Sequence, residues 1–186
     1  NSTEKENKNK KTFEEVFGKD SDKIKEEITE LLRKSNVIRI VIEKNGKIEI
    51  DVKVTNIGEY AGKDVVEVYY SAPYTKGGIE KSAVNLVAFA KTELLQKNES
   101  EILKISFDVE DMKSYDCYDA NHNGYATYEL EKGQYNISLR TDAHTLANCT
   151  NPVIEYNVEN NIFYDKDSIT NNPVENRFTD GVDAYS

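Results

Sequence analysis

The chain has 186 residues, of which 38 % are hydrophobic and 31 % charged, and a formal net charge of −10. This is enough for one domain of ordinary size plus extensions. The acidity argues against a nucleic-acid partner and against anionic membrane surfaces, both of which need a basic face.

No apolar run approaches the roughly 18 residues of a spanning helix. Residues 1–12 are polar and Lys-rich, without the apolar stretch of a signal peptide. In chain order, residues 1–11 are low-complexity Asn/Lys/Glu and are expected to be disordered. Residues 12–34 read as helical. Phe13, Val16 and Phe17 recur at i, i+3, i+4 before Gly18, a C-terminal stop. Asp20 or Ser21 suits the N-cap of a second helix, and Ile24, Ile28, Leu31 and Leu32 form its apolar stripe. Arg33 and Lys34 then fall at its negative end. Such a stripe serves either to pack on its own domain or as a partner or membrane helix.

From residue 37 the pattern changes to β. Residues 37–43 are a β-branched run, and Asn45-Gly46 is a hairpin signal. Ile48, Ile50, Val52 and Val54 alternate with Lys47, Glu49, Asp51 and Lys53, so one strand face is buried and the other wet. Asn56, Gly58 and Gly62 break this pattern, offering residues that tolerate positive φ for a reversal. Residues 64–71 and 84–92 give two more strands. Leu103, Ile105, Phe107 and Val109 alternate with polar residues, as do Tyr135, Ile137 and Leu139. Residues 153–158 give a last strand, and 159–186 show no period. About seven short strands separated by turn residues predict an all-β Greek-key sandwich over 37–158. Ile50, Val52, Val68, Ile105, Phe107 and Ile137 are its expected core.

Candidate chemistry is sparse. Asp119-Ala-Asn121-His-Asn123-Gly124 opens like a calcium loop, with oxygens at alternate positions and Gly at the sharp turn. The closing Glu should stand at 130, but that residue is Leu130, flanked by Glu129 and Glu131. The run therefore reads as an Asn/Gly turn, with a cation site as the alternative. His122 and His144 lack a nucleophile or acid at recognisable spacing. Cys117 and Cys149 have no metal-ligand spacing and read as two thiols or a single disulfide. No pair of carboxylates stands out for glycosidase chemistry. Asn1, Asn98, Asn136 and Asn148 head glycosylation sequons, common in so Asn-rich a chain. Gly77-Gly78 lacks the following helix of a phosphate loop. No catalytic, cofactor or metal residue is assigned.

Several segments together resemble the fibronectin type III-like domain of glycoside hydrolase family 3 enzymes. They are Val54-Thr-Asn-Ile-Gly-Glu-Tyr-Ala-Gly62, Val65-Val-Glu-Val-Tyr-Tyr-Ser-Ala-Pro73, Gly78-Ile-Glu-Lys81 and Leu86-Val-Ala-Phe-Ala-Lys-Thr92. Glu99-Ser-Glu101, Tyr128-Glu-Leu-Glu-Lys-Gly133 and Tyr135-Asn-Ile-Ser-Leu-Arg-Thr-Asp-Ala-His144 complete the set. The tail from Ile162 to Phe178 is similar to a linker in a bacterial subgroup whose (β/α)8 barrel follows the sandwich. The resemblance implies a fibronectin type III-like sandwich at 37–158, preceded by an extension (1–36) and followed by a linker (159–186) toward a barrel. It implies a parent of β-glucosidase type, whose catalytic Asp and acid/base lie on other domains. No segment here matches either motif. The sandwich is thus expected to be non-catalytic, with other domains of the same enzyme as partners. The residues at 74–81 and 111–128 are the expected contact regions, with Tyr74 and Ile79 as anchors. A carbohydrate-binding or protein-interaction sandwich is the alternative, and Tyr69, Tyr70, Tyr74 and Tyr125 are its sugar-facing candidates.

Overall fold

The computed structural model describes residues 33–42 and 46–176. Within them the chain forms ten strands and one 3-10 turn at Val109–Met112. Strands β1 (Arg33–Ile42), β2 (Lys47–Asn56) and β5 (Ser100–Asp108) make one antiparallel sheet in the order β1-β2-β5. Strands β3 (Val65–Ser71), β4 (Asn85–Lys91), β8 (Gly133–Arg140) and β9 (Val153–Val158) make a second, in the order β4-β3-β8-β9. A small third sheet has the order β10-β7-β6, from β6 (Ser114–Tyr115), β7 (Tyr128–Leu130) and β10 (Ile162–Tyr164).

The alternation read in the sequence supplies the core. Ile48, Ile50, Val52 and Val54 of β2 are buried, and they pack in one cluster with Leu103, Ile105 and Phe107 of β5. From the other sheet come Val66, Val68 and Tyr70 of β3 and Tyr135, Ile137 and Leu139 of β8. All six expected core residues are at most 5 % exposed. Each large apolar side chain so buried contributes roughly 1.5–3 kcal/mol before entropy is counted. Met112 and Leu130, both fully buried, close one end of the cluster.

Three expectations change. Arg33 and Lys34, read as the end of a helix, begin β1; they pair with Asn56 and Thr55, and the full-length ladder to β2 outweighs their weak local preference. Residues 12–32 of the expected helix, the stretch before them that was expected to be disordered, and Asn45 of the expected hairpin turn lie outside the described residues. Gly46 of the turn does have positive φ, at 80°. Second, neither Gly58 nor Gly62 has positive φ. The reversal after β2 is instead tied by Asn56, whose amide donates to the Tyr60 and Leu95 carbonyls at 2.8 and 2.9 Å and accepts from the Gly58 N–H at 2.9 Å. Third, Asp51 on the polar phase of β2 is buried, 9 % exposed. Its register partners are Arg39 on β1 and Lys104 on β5, so the central strand places a carboxylate between two basic positions.

The tail is also more ordered than its lack of period suggested. β10 pairs with β7 from Ile162↔Leu130 to Tyr164↔Tyr128. Beyond it the chain turns at Asp167, whose Oδ1 accepts from Thr170 N and Oγ1 at 2.7 and 2.8 Å. The Asn176 amide then donates to the Cys117 carbonyl at 2.7 Å.

Candidate functional site

The connection between β6 and β7 is built around two buried carboxylates. Asp116, 2 % exposed, accepts from the Ala120 and Tyr118 N–H groups at 2.9 and 3.2 Å and from Asn121 N–H at 3.4 Å. Asp119 Oδ1 accepts from the N–H groups of Asn123 and Gly124 at 2.8 and 3.0 Å. Asp119, His122 and Gly124 all have positive φ, at 51°, 57° and 90°. The loop thereby folds over Glu129 of β7, 1 % exposed. The Asn121 and Asn123 amides each donate to one Glu129 oxygen, both at 2.8 Å. Burial raises the Glu129 pKa above the ordinary carboxylate value; the two amides oppose this, and Glu131 and Asp116 add to it.

Glu129 is thus the hub of the loop, a role the sequence reading missed by measuring it against the calcium-loop position at 130. The signal was the β-phase of Tyr128-Glu-Leu130, which turns Glu129 to the face opposite Tyr128 and Leu130. The amide nitrogens of Asn121 and Asn123 face Glu129, and the Asp119 and Asn123 oxygens are taken by backbone donors. Such an arrangement closes a turn by itself. Among the described residues, no group of three or more His, Cys, Asp or Glu side chains is placed to hold a metal ion.

The connection from β3 to β4 is pinned to its own sandwich. Ile79, expected as an anchor for a partner, is only 4 % exposed. Lys81 pairs with Glu131 and donates to the Pro73 carbonyl at 2.8 Å. Gly77 has φ 84°, and the Gly78 N–H closes onto the Thr75 carbonyl at 2.9 Å. Tyr74 remains exposed, with its hydroxyl donating to Glu80 at 3.2 Å.

The other candidates are dispersed. His122 and His144 are exposed, on different loops. Cys117 and Cys149 are half-buried and are not joined in a disulfide. Tyr70 is a core residue tilted against Tyr135 at 6.5 Å, so it cannot face a sugar. Tyr69 is 9 % exposed and hydrogen-bonds Glu67 at 3.0 Å. Its position next to a carboxylate and its burial raise the phenol pKa, burial being the larger cause. Tyr125 is exposed and stacks on Phe163 at 4.2 Å, a pairing that depends on the tail and was not legible in sequence. The reversal after β2 also forms an open cleft of about 300 Å³, lined by Val54, Tyr60 and Leu95 among others.

The fibronectin type III-like domain family matches residues 64–143. A domain of unknown function, DUF4342, matches residues 10–62. The two segments share one sheet, because β2 pairs along its length with β5. The chain is 48 % identical over 90 residues to β-glucosidase A of Butyrivibrio fibrisolvens, covering 48 % of this chain and 10 % of that protein. It is 40 % identical over 100 residues to a β-glucosidase of Ruminococcus albus, covering 54 % of this chain and again 10 % of the relative. Among solved structures, a β-glucosidase from Paenibacillus barengoltzii superposes with a TM-score of 0.59 at 30 % identity, over 69 % of this chain and 14 % of that one. β-Glucosidase 3B from Thermotoga neapolitana superposes with a TM-score of 0.55 at 26 % identity, over 71 % of this chain and 17 % of that one. The match spans about a tenth of the length of these curated relatives. Over residues 64–143 the sandwich thus matches the fibronectin type III-like domain family, and it is similar in sequence and in fold to segments of bacterial β-glucosidases.

Proposed function

We propose that this chain is a non-catalytic structural module of a β-glucosidase-type glycoside hydrolase, in which it packs against other domains. The observation that carries the reading is the 48 % identity to a β-glucosidase over a segment forming a tenth of that protein. The chemistry of the described residues supports it. Hydrolysis of a glycosidic bond needs two carboxylates flanking a substrate. The buried carboxylates of the loop, Asp116 and Glu129, are instead occupied by backbone N–H groups and by two amides of their own loop. On this reading the module runs from β1, which begins at Arg33, to residue 158, and the segment 159–186 leads toward the rest of the enzyme. The test is hydrolysis of an aryl β-glucoside by the purified 186-residue chain. We expect none; turnover that co-purifies with the chain and vanishes on its removal would overturn the reading.

A second reading is a carbohydrate-binding sandwich, favoured by the exposed Tyr125 stacked on Phe163. Isothermal titration with cello-oligosaccharides separates the two. The module reading expects no heat of binding, and saturable heat lost in Tyr125→Ala would favour the sugar platform.

A further inference from the structure

We propose that the outer face of the four-stranded sheet, at β3 and the edge strand β4, docks against the catalytic part of the same enzyme. This rests on the module reading above and adds the surface to it. The register between β3 and β4 shifts: Val68 stands opposite Ala88, but Tyr69 opposite Leu86. Val87 is the extra residue of a bulge. As a result Leu86 and Phe89 both turn outward, while Val87, Ala88 and Ala90 pack on the core. Leu86 is 50 % and Phe89 67 % exposed.

The surface beneath them is fixed rather than fluid. Leu86 lies beside Tyr69 and Phe89 beside Glu67 in register, and Glu67 stands opposite Arg140 on β8. The Tyr69 hydroxyl donates to Glu67 at 3.0 Å. Arg140 Nε donates to the Ser138 hydroxyl at 2.9 Å, and its Nη1 to the Ala143 carbonyl at 3.3 Å. Two protruding apolar side chains next to a held Tyr and Arg have the composition of an interface centre rather than of open surface.

The occupant follows from the comparisons. The matched segment is a tenth of its β-glucosidase relatives, so about nine-tenths of each of those proteins lies outside it. A tethered neighbour of that size is present at high effective concentration, and interfaces within one chain cover roughly 600–1,500 Å². Leu86, Phe89, Tyr69 and Arg140 all lie inside the segment 64–143 that matches the family, whereas the exposed Ile169 of the tail lies outside it. The face therefore belongs to the shared part of the module.

The test compares the 186-residue chain with the intact enzyme polypeptide containing it, each carrying Leu86→Ser with Phe89→Ser, or Ile102→Ser as a control. Ile102 is 52 % exposed on the outer face of the other sheet. The double variant should leave the melting of the 186-residue chain unchanged. In the intact enzyme it should raise the rate of proteolytic release of the sandwich by about tenfold or more, and Ile102→Ser should not. Leu86→Ser alone provides a milder variant if the intact double variant does not accumulate. Release at the wild-type rate in the Leu86→Ser, Phe89→Ser variant, or in Leu86→Ser where that is the one measured, would overturn the docking face and leave the module reading standing. Sedimentation showing that the 186-residue chain dimerises, and that the double variant abolishes this, would assign the face to a second copy and also overturn the proposal. Glucoside hydrolysis by the wild-type 186-residue chain would remove the module reading itself, an outcome these variants do not influence.

Discussion

The buried ion pair between Lys81 and Glu131 predicts an asymmetric response to mutation. The Lys81 side chain is 4 % exposed and the Glu131 side chain 21 %. Glu131→Ala leaves an ammonium that water reaches poorly, with the Pro73 carbonyl as its acceptor among the described residues. Removing one partner of a buried pair costs about 3–5 kcal/mol. Lys81→Met keeps the aliphatic stem and leaves the carboxylate, which is the better hydrated partner. Its cost is the lost hydrogen bonds, about 1–3 kcal/mol. For a folded body of this size each kcal/mol moves the melting temperature by about 3–5 °C. Glu131→Ala should therefore lower it by about 9–25 °C, and Lys81→Met by about 3–15 °C. The double variant contains no uncompensated charge and should melt well above Glu131→Ala, a non-additivity of about 1–3 kcal/mol. Circular dichroism melts of the four proteins at one pH and low salt measure this. If both single variants fall within about 0.5 kcal/mol of wild type, the contact behaves as a solvated surface pair, and the pinning of the β3–β4 connection is misassigned.

Val52→Asp places an unpaired carboxylate at a fully buried position and should cost several kcal/mol, about 3–5; a melt unchanged by it would refute the register of β2. Glu129 has a folded-state pKa above the ordinary 4.5, so its protonated form is the one favoured by folding. Its contribution is fully present below pH 4.5 and is lost as pH rises through the raised value. Chemical denaturation across pH 4–8 should show wild type losing stability relative to Glu129→Gln over that window, and a parallel pair of curves would contradict it. Calcium at micromolar concentration should not raise the melting temperature, because the loop oxygens are committed to backbone donors; a dose-dependent rise would revive the cation site. Gly133 has φ 141°, and a Cβ there would meet the Pro73 ring at 3.1 Å, so Gly133→Ala should destabilise by about 1–3 kcal/mol in urea titrations.

The parts of the fold that were legible are those in which one periodicity decides burial. β2, β5 and β8 alternate because each has one face on the core, and their inward residues follow directly. What escaped the sequence depended on partners distant along the chain. Arg33 and Lys34 have no strand signal of their own and gain it only from Thr55 and Asn56 opposite. Asp51 looks solvent-facing in an alternating strand, and only its central place between β1 and β5 covers it. β10 is three residues long, too short for a period, and exists because β7 offers an edge. The same holds at the candidate loop. The Asp119–Gly124 turn chemistry was readable residue by residue, but the closing of Asn121 and Asn123 onto Glu129 needed the register of β7. Ile79 looked available to a partner because a Gly-Gly pair precedes it. The Lys81–Glu131 pair, fifty residues apart in sequence, holds it inside instead.

The late arrival of β10 has a consequence for how the protein emerges from the ribosome. β7 joins β6 early, but its other edge stays bare until Ile162–Tyr164 has been synthesised. At ordinary elongation speeds that gap lasts roughly two to seven seconds. Throughout it, a short ladder of unpaired N–H and C=O groups stands open beside Leu130, and open ladders recruit foreign strands.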